Sequence, residues 1–167
     1  TAVLVGRDVK IASILRRSGA LGLVSHGDAE ERFLRTPTEI SELMAVALAG
    51  RAAEIQEFGE ASSGIASDLA VATSLASQLV GQLGAADSLI SIEAAVLPGA
   101  GNLVAKVLSD ESARAKTETL LASAADQAAC MVLEHRGALI ALADALCMHD
   151  ELSGDEVNRI VAESIDS

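Results

Sequence analysis

The chain has 167 residues, of which 50% are apolar but only 1% aromatic, and its 24 acidic against 12 basic side chains give a net charge of -12. That length sets one ordinary domain, 1–167, with enough chain to bury a core, and the apolar content excludes a disordered chain, which pairs high charge with low hydrophobicity. An acidic balance without basic or aromatic stripes excludes nucleic acid as a partner.

Abundant alanine and leucine favour helix and let helices approach closely, so the fold class is mainly α: a helical bundle with a small N-terminal β-hairpin. Thr1–Gly6 (TAVLVG) starts without a cap and reads as the tail of a helix. Val9–Leu15 alternates enough for a short strand, Arg16–Gly19 is a turn, and Ala20–Ser25 is the hairpin partner. His26–Arg35 is polar and reads as a loop.

Thr36 opens the first clear helix. It is a good cap, Pro37 suits the first helical position, and Glu39 completes a Thr-x-x-Glu capping box. Ile40, Leu43, Met44, Ala47, Leu48 and Ile55 keep a helical period until Gly59 stops it, and Glu60–Gly64 is a turn. A second helix runs from Ile65 to Leu83, closed by Gly84. Ala85–Leu108 carries few helix signals and is expected to hold a short strand at Leu89–Val96. Ser109 is expected to cap a third helix reaching Glu134, a fourth spans Gly137–Met148, and Ser153 with Glu156 forms a capping box for the last.

The second helix poses a chemical question. From Asp68, steps of i+4, i+7 and i+11 reach Ala72, Leu75 and Leu79, so the acid shares a stripe with expected core residues. A carboxylate held on apolar surface needs a cation, a metal or hydrogen-bond donors. Arg51 and Glu54, at i and i+3, are expected to pair and to brace the Gly59–Gly64 turn that precedes it. Cys130 and Cys147 lie on helical patterns without metal-knuckle spacing and read as buried, reduced thiols, which fits a cytosolic setting. No membrane segment is expected, because the longest apolar run, Gly137–Met148, is too short and is broken by Asp144.

Gly50, Arg51, Ala52, Ala53, Glu54, Phe58, Gly59, Glu60, Gly64, Asp68 and Leu69 stand in register with a known pattern, roughly GGRAAEEIVFG, then TTG, two variable positions and Asn-Asp-Leu. That pattern belongs to the peptidase domain of the FtsH-type ATP-dependent zinc metalloproteases (AAA proteases), which this stretch resembles. The strand region resembles the family's KVTIIPRG followed by ALG. Near the C-terminus, His135, Arg136, Leu139, Leu142, Ala143, Leu146, Glu151, Leu152, Gly154 and Glu156 carry a further match.

The resemblance implies a zinc metalloendopeptidase acting on unfolded or membrane proteins, in a homo-oligomeric ring. It implies zinc as cofactor with Asp68 as the third protein ligand, after the two histidines of an HExxH helix. ATP would enter only through a separate AAA module. Gly50, Arg51, Glu54, Gly59 and Gly64 would give structural support, and Ile11, Ala12, Ser13 and Ile14 would form an edge strand that binds extended substrate. The location implied is cytoplasmic, at the cytoplasmic face of the inner membrane through an anchor in the parent protein.

The sequence departs from the family in ways that bear on chemistry. Ser67 stands where the family has Asn, and Ile55-Gln56-Glu57 replaces Glu-Ile-Val. There is no HExxH and no Walker A sequence. His26, His135 and His149 form no i, i+4 pair, and the chain alone is expected to be inactive. Two readings stay open: a peptidase domain whose HExxH lies outside this chain, and a non-catalytic descendant serving assembly or protein interaction.

Overall fold

The computed structural model describes residues 1–16, 22–28, 33–85, 88–93 and 101–165. Expectations that fall on 17–21, 29–32, 86–87, 94–100 and 166–167 lie outside them: most of the Arg16–Gly19 turn, the first residues of its hairpin partner, part of the following loop and the end of the Leu89–Val96 strand. The described elements are β1 (Asp8–Ser13), β2 (Leu23–Gly27), α1 (Pro37–Phe58), a 3-10 turn (Ser63–Ile65), α2 (Ala66–Gly81), α3 (Leu103–Ser109), α4 (Glu111–Glu134), α5 (Arg136–His149), β3 (Glu151–Ser153) and α6 (Gly154–Ile165). The protein is mainly helical with one small antiparallel sheet. It divides into two compact units, one formed by Thr1–Phe33 with Met131–Ser167 and the other by Leu34–Cys130.

In the first unit, Thr1–Gly6 is a turn of helix closed by a left-handed glycine. The Val5 N–H donates to the Thr1 carbonyl at 3.1 Å, Gly6 N–H to Val3 at 3.0 Å and Arg7 N–H to Ala2 at 2.9 Å, with Gly6 at φ 71°. This is the two-bond ending in which a glycine without a Cβ penalty satisfies the last carbonyls of a helix. β1 follows. It pairs with β2 in the order Asp8↔Gly27, Val9↔His26, Ile11↔Ser25, Ala12↔Val24 and Ser13↔Leu23, with a shift at Lys10. Lys10 is the extra residue of a β-bulge. Because of it, Val9 and Ala12, three apart, both enter one core with Leu152, Val157 and Val161.

The sheet order is β2-β1-β3, so β1 is the central strand. The expectation that Ile11, Ala12, Ser13 and Ile14 form an edge is therefore corrected. β3, only three residues long, pairs Ile11 with Ser153, Ala12 with Leu152 and Ser13 with Glu151, and Ile14 N–H continues to the Asp150 carbonyl at 2.9 Å. Asp150, at φ 61°, turns the chain out of α5 into β3. His26, expected in a loop, lies in β2.

Where β3 ends, α6 begins, held by the expected box. Ser153 Oγ accepts from Glu156 N–H at 3.4 Å, and the Glu156 carboxylate accepts from Ser153 N–H at 2.8 Å and from its hydroxyl at 2.7 Å. Those two bonds hold the Glu156 carboxyl below the ordinary carboxylate range. The first residue of α6, Gly154, lies so close to β1 that an added Cβ would overlap the Val9 carbonyl oxygen.

The second unit packs α1, α2 and α4. Thr36 Oγ1 accepts from Glu39 N–H at 3.3 Å while Glu39 accepts from Thr36 N–H at 2.8 Å. At the other end Gly59, at φ 83°, donates its N–H to Ile55 at 2.9 Å. Between these caps, Ile40, Met44, Ala45 and Leu48 meet Ala72, Ala76 and Leu79 of α2 and Ala124 and Ala128 of α4. The buried hydroxyls of Ser77 and Thr117 donate to carbonyls one turn back, at 2.8 Å and 2.9 Å, and so cost little.

Three expectations for this stretch change. α2 ends at Gly81 rather than Leu83, and no strand forms at the described part of Leu89–Val96. Ser109 ends the short α3, capped by Asn102, while Asp110 caps α4 by accepting from Ala113 N–H at 2.7 Å. Cys130 and Cys147 are exposed free thiols. Cys130 sits about 200° around α4 from Ala128, on the face away from the core.

Two glycines give opposite forecasts. Gly154→Ala is expected to cost about 2 kcal/mol or more, the scale of overpacking against backbone. Gly50, exposed within α1 with nothing within 4 Å of an added Cβ, is expected to gain about 0.5–1 kcal/mol on Gly50→Ala. Urea unfolding of the two variants beside the parent checks both signs.

Candidate functional site

The α1–α2 junction is built by a carboxylate reaching forward along the chain. Glu54, in the last turns of α1, accepts a hydrogen bond from Ser62 N–H and another from Ser62 Oγ–H at 3.0 Å. Ser62 Oγ in turn accepts from Gly64 N–H at 3.2 Å, which starts the 3-10 turn leading into α2. An added Cβ at Gly64 would lie 3.3 Å from that same oxygen. Glu54, Gly59 and Gly64 thus each have a local reason in the turn. Arg51 is exposed and makes no ion pair with Glu54, so the expected pairing of the two is replaced by the Glu54–Ser62 contact. Nothing in the described residues requires glycine at Gly50.

Asp68 stands in the first turn of α2. Its stripe partners behave as the periodicity indicates: Ala72 and Leu79 are buried and Leu75 packs against the same core. Asp68 itself is exposed, and so is every residue from Ala66 to Val71. The expected burden of a carboxylate on apolar surface is therefore absent, because water solvates the group where α2 projects past the core. No hydrogen bond or ion pair within the described residues occupies its oxygens. The helix N-terminus favours its negative charge.

The remaining candidate donors lie elsewhere in the chain. His26 is in β2, His135 precedes α5 and His149 ends it, all in the first unit, whereas Asp68 belongs to the second. Among the described residues no three His, Cys, Asp or Glu side chains gather as a metal would require. A zinc site takes at least three protein donors, and the described residues gather no such set around Asp68.

The chain's likeness to known proteins is consistent with its GRAAE-to-Asp68 stretch. The sequence model of Peptidase family M41 matches residues 4–160. The chain belongs to peptidase family M41. It is 33% identical over 170 residues, 92% of this chain, to an ATP-dependent zinc metalloprotease FtsH 2 of Sorangium cellulosum. It is 31% identical over 159 residues, 91% of the chain, to an ATP-dependent zinc metalloprotease FtsH of Acidimicrobium ferrooxidans. It is 29% identical over 175 residues, 99% of the chain, to an ATP-dependent zinc metalloprotease FtsH of Thermotoga maritima. The chain spans 28%, 24% and 29% of the lengths of these three relatives.

As an M41 chain it presents two exposed features: the Asp68 carboxylate at the open end of α2, and the outer edge of β2, which pairs with no further strand among the described residues and where Leu23 and Val24 are 51% and 57% exposed. The pairing that makes β1 central comes from three residues far along the sequence, which the alternation of β1 itself does not reveal. The sole sign of β3 was its place beside the Ser153 box, and that signal pointed equally to a helix start.

The turn gives a sharp forecast. Glu54→Ala and Ser62→Ala are each expected to cost about 1 kcal/mol, with a double mutant that falls short of the sum because one contact is lost only once. Arg51→Ala is expected to stay within about 0.5 kcal/mol of the parent. Asp68→Asn, which removes only a solvated charge near a helix N-terminus, is expected to change stability by less than about 1 kcal/mol. Chemical denaturation of the five variants at neutral pH tests all of these; strict additivity of Glu54 and Ser62 would show that the contact contributes nothing.

Proposed function

We propose that this chain is the body of the peptidase domain of an FtsH-like ATP-dependent protease that hydrolyses unfolded or membrane polypeptides, and that Asp68 supplies one carboxylate ligand to its zinc. The observation that carries this is the state of Asp68 within an M41 chain: exposed, its oxygens uncommitted among the described residues, and set at the helix start that follows the Glu54–Ser62–Gly64 turn. When bound, zinc would supply a Lewis acid and an activated water. The chain's own residues hold the ligand's helix start and offer a strand edge.

The two histidines are proposed to come from an HExxH helix that precedes Thr1. Support comes from the hydrogen-bonded turn at Thr1–Gly6, which has the geometry of a helix C-terminus. Such a helix would present both imidazoles on one face at i and i+4. The units Thr1–Phe33 with Met131–Ser167 and Leu34–Cys130 are then two parts of one peptidase domain, a reading supported by a family match that runs across both. The substrate is proposed to add as an extended strand to β2, whose outer backbone edge pairs with no other strand of the sheet.

By the same proposal, an ATPase module and a homo-oligomeric ring belong to the parent protein, held at the cytoplasmic face of the inner membrane by an anchor. No helix among the described residues is long and apolar enough to cross a membrane.

A second reading is favoured by the absence of HExxH from the sequence: a non-catalytic M41 descendant that keeps the helical body for assembly or protein interaction. The two part on one experiment. The 167-residue chain is expected to retain no zinc after dialysis and to leave casein intact. The protein extended upstream through an HExxH helix is expected to hold one zinc per chain by elemental analysis, to cleave casein, and to lose most of its zinc on Asp68→Asn. An upstream sequence without that motif, or undiminished zinc in Asp68→Asn, would sink the catalytic reading.

A further inference from the structure

We propose that Arg7, His26 and Asp28 form an acid-operated latch that fastens one end of the exposed strand β2 to β1. The cluster lies where β1 begins and β2 ends, opposite the end at which Leu23 and Val24 are exposed. Arg7 is fixed at its backbone by the N–H bond to Ala2 that closes the Gly6 turn. From there its guanidinium crosses to the end of β2, where it forms an ion pair with the carboxylate of Asp28, the residue after the strand, and donates from Nε to His26 Nδ1 at 3.5 Å. The ion-paired side chains are largely sheltered, 12% exposed for Arg7 and 18% for Asp28.

This geometry requires a neutral imidazole. A ring nitrogen that accepts a hydrogen bond carries no proton, so in the latched state the His26 proton sits on Nε2. Arginine cannot yield its proton in the working range. Protonating His26 therefore places an N–H where Arg7 needs an acceptor and sets a second cation beside the guanidinium. Burial and Arg7 both push the His26 pKa below its ordinary value, and Asp28 pulls the other way. Among the described residues these are the charged groups that act on the ring, and its partner across the strands, Val9, is apolar.

The direction of the pH effect follows. The folded pKa is lowered, so the unfolded chain binds the proton more readily, and stability falls as pH falls. The stability that the latch lends is full above about pH 6.5, the ordinary histidine value, declines below it, and is lost once pH passes below the lowered folded value, where His26 takes up its proton in the folded chain.

The bulge limits what opens. Only the pairs Asp8–Gly27 and Val9–His26 lie on the latch side of Lys10, while Ile11, Ala12 and Ser13 keep partners in both β2 and β3. Acid should thus fray the His26–Gly27 end of β2 and leave the rest of the sheet paired. The inference concerns the strand itself and holds whether or not β2 receives a substrate.

The test is NMR on the isotope-labelled 167-residue chain from about pH 8 to about pH 4.5, spanning the histidine range. It follows the His26 ring proton and the exchange of backbone amides, corrected for the intrinsic effect of pH. His26 is expected to titrate below about 6.5, with protection lost at the same midpoint in Asp8–Val9 and His26–Gly27 but kept in α1. His26→Gln, whose side-chain oxygen accepts from Arg7 at every pH, should keep that protection flat. Arg7→Gln should move the His26 midpoint upward. A midpoint at or above the ordinary value, an unmoved midpoint in Arg7→Gln, or the same acid loss in His26→Gln each overturns the latch. Should His26→Gln not fold, the Arg7→Gln midpoint decides alone.

Discussion

Close helix approach through alanine is the constraint on which the second unit depends. Its core contains no aromatic ring: both phenylalanines, Phe33 and Phe58, are exposed at 85% and 78%. Without large side chains to span wide gaps, the helices must come together, and Ala45, Ala72, Ala76, Ala124 and Ala128 are the fully or nearly fully buried positions that allow it. Met44, unbranched and adaptable, fills what the alanines leave. Such a core leaves little room for error at the helix ends. The junction between α1 and α2 must deliver the second helix at one height and one rotation, and this is the work of Gly59 and of the Glu54–Ser62 contact.

That junction also explains why Asp68 is open to solvent although its helical stripe is apolar. Rotation and height are separate quantities. Periodicity reports rotation, and the buried state of Ala72 and Leu79 agrees with it. It carries no information on where a neighbouring helix stops, so the exposed stretch from Ala66 to Val71 could not be read from the residues. The same limit explains the cysteines, since a helical pattern of alanine, cysteine and leucine does not distinguish a face against a core from one that merely lacks charge.

What was legible in the sequence was local. The Thr36–Glu39 and Ser153–Glu156 boxes, the Gly59 stop and the Pro37 start are interactions within a few residues, and they fix helix boundaries to within a residue. The family relationship was legible because it rests on side-chain identities in register. Illegible were the pairings made at long range: β3 joining β1 across some 140 residues of chain, and Glu54 choosing Ser62 eight residues on rather than Arg51 three residues back. Asn102 is a local cap signal for α3 that the glycine-rich stretch before it masks, since that stretch reads as loop.

The bulge at Lys10 has a consequence for how this strand tolerates change in length. A strand read two residues at a time exposes its hydrophobic face to water when a residue is added or removed. Here Val9 and Ala12 already share a core although three residues separate them, because Lys10 stands outside the count. Deleting Lys10 would restore plain pairing against β2 with the same two residues on one face, whereas a second residue placed beside it would leave two residues of β1 without partners in β2. At this one position the strand can lose a residue without turning its apolar side chains to water.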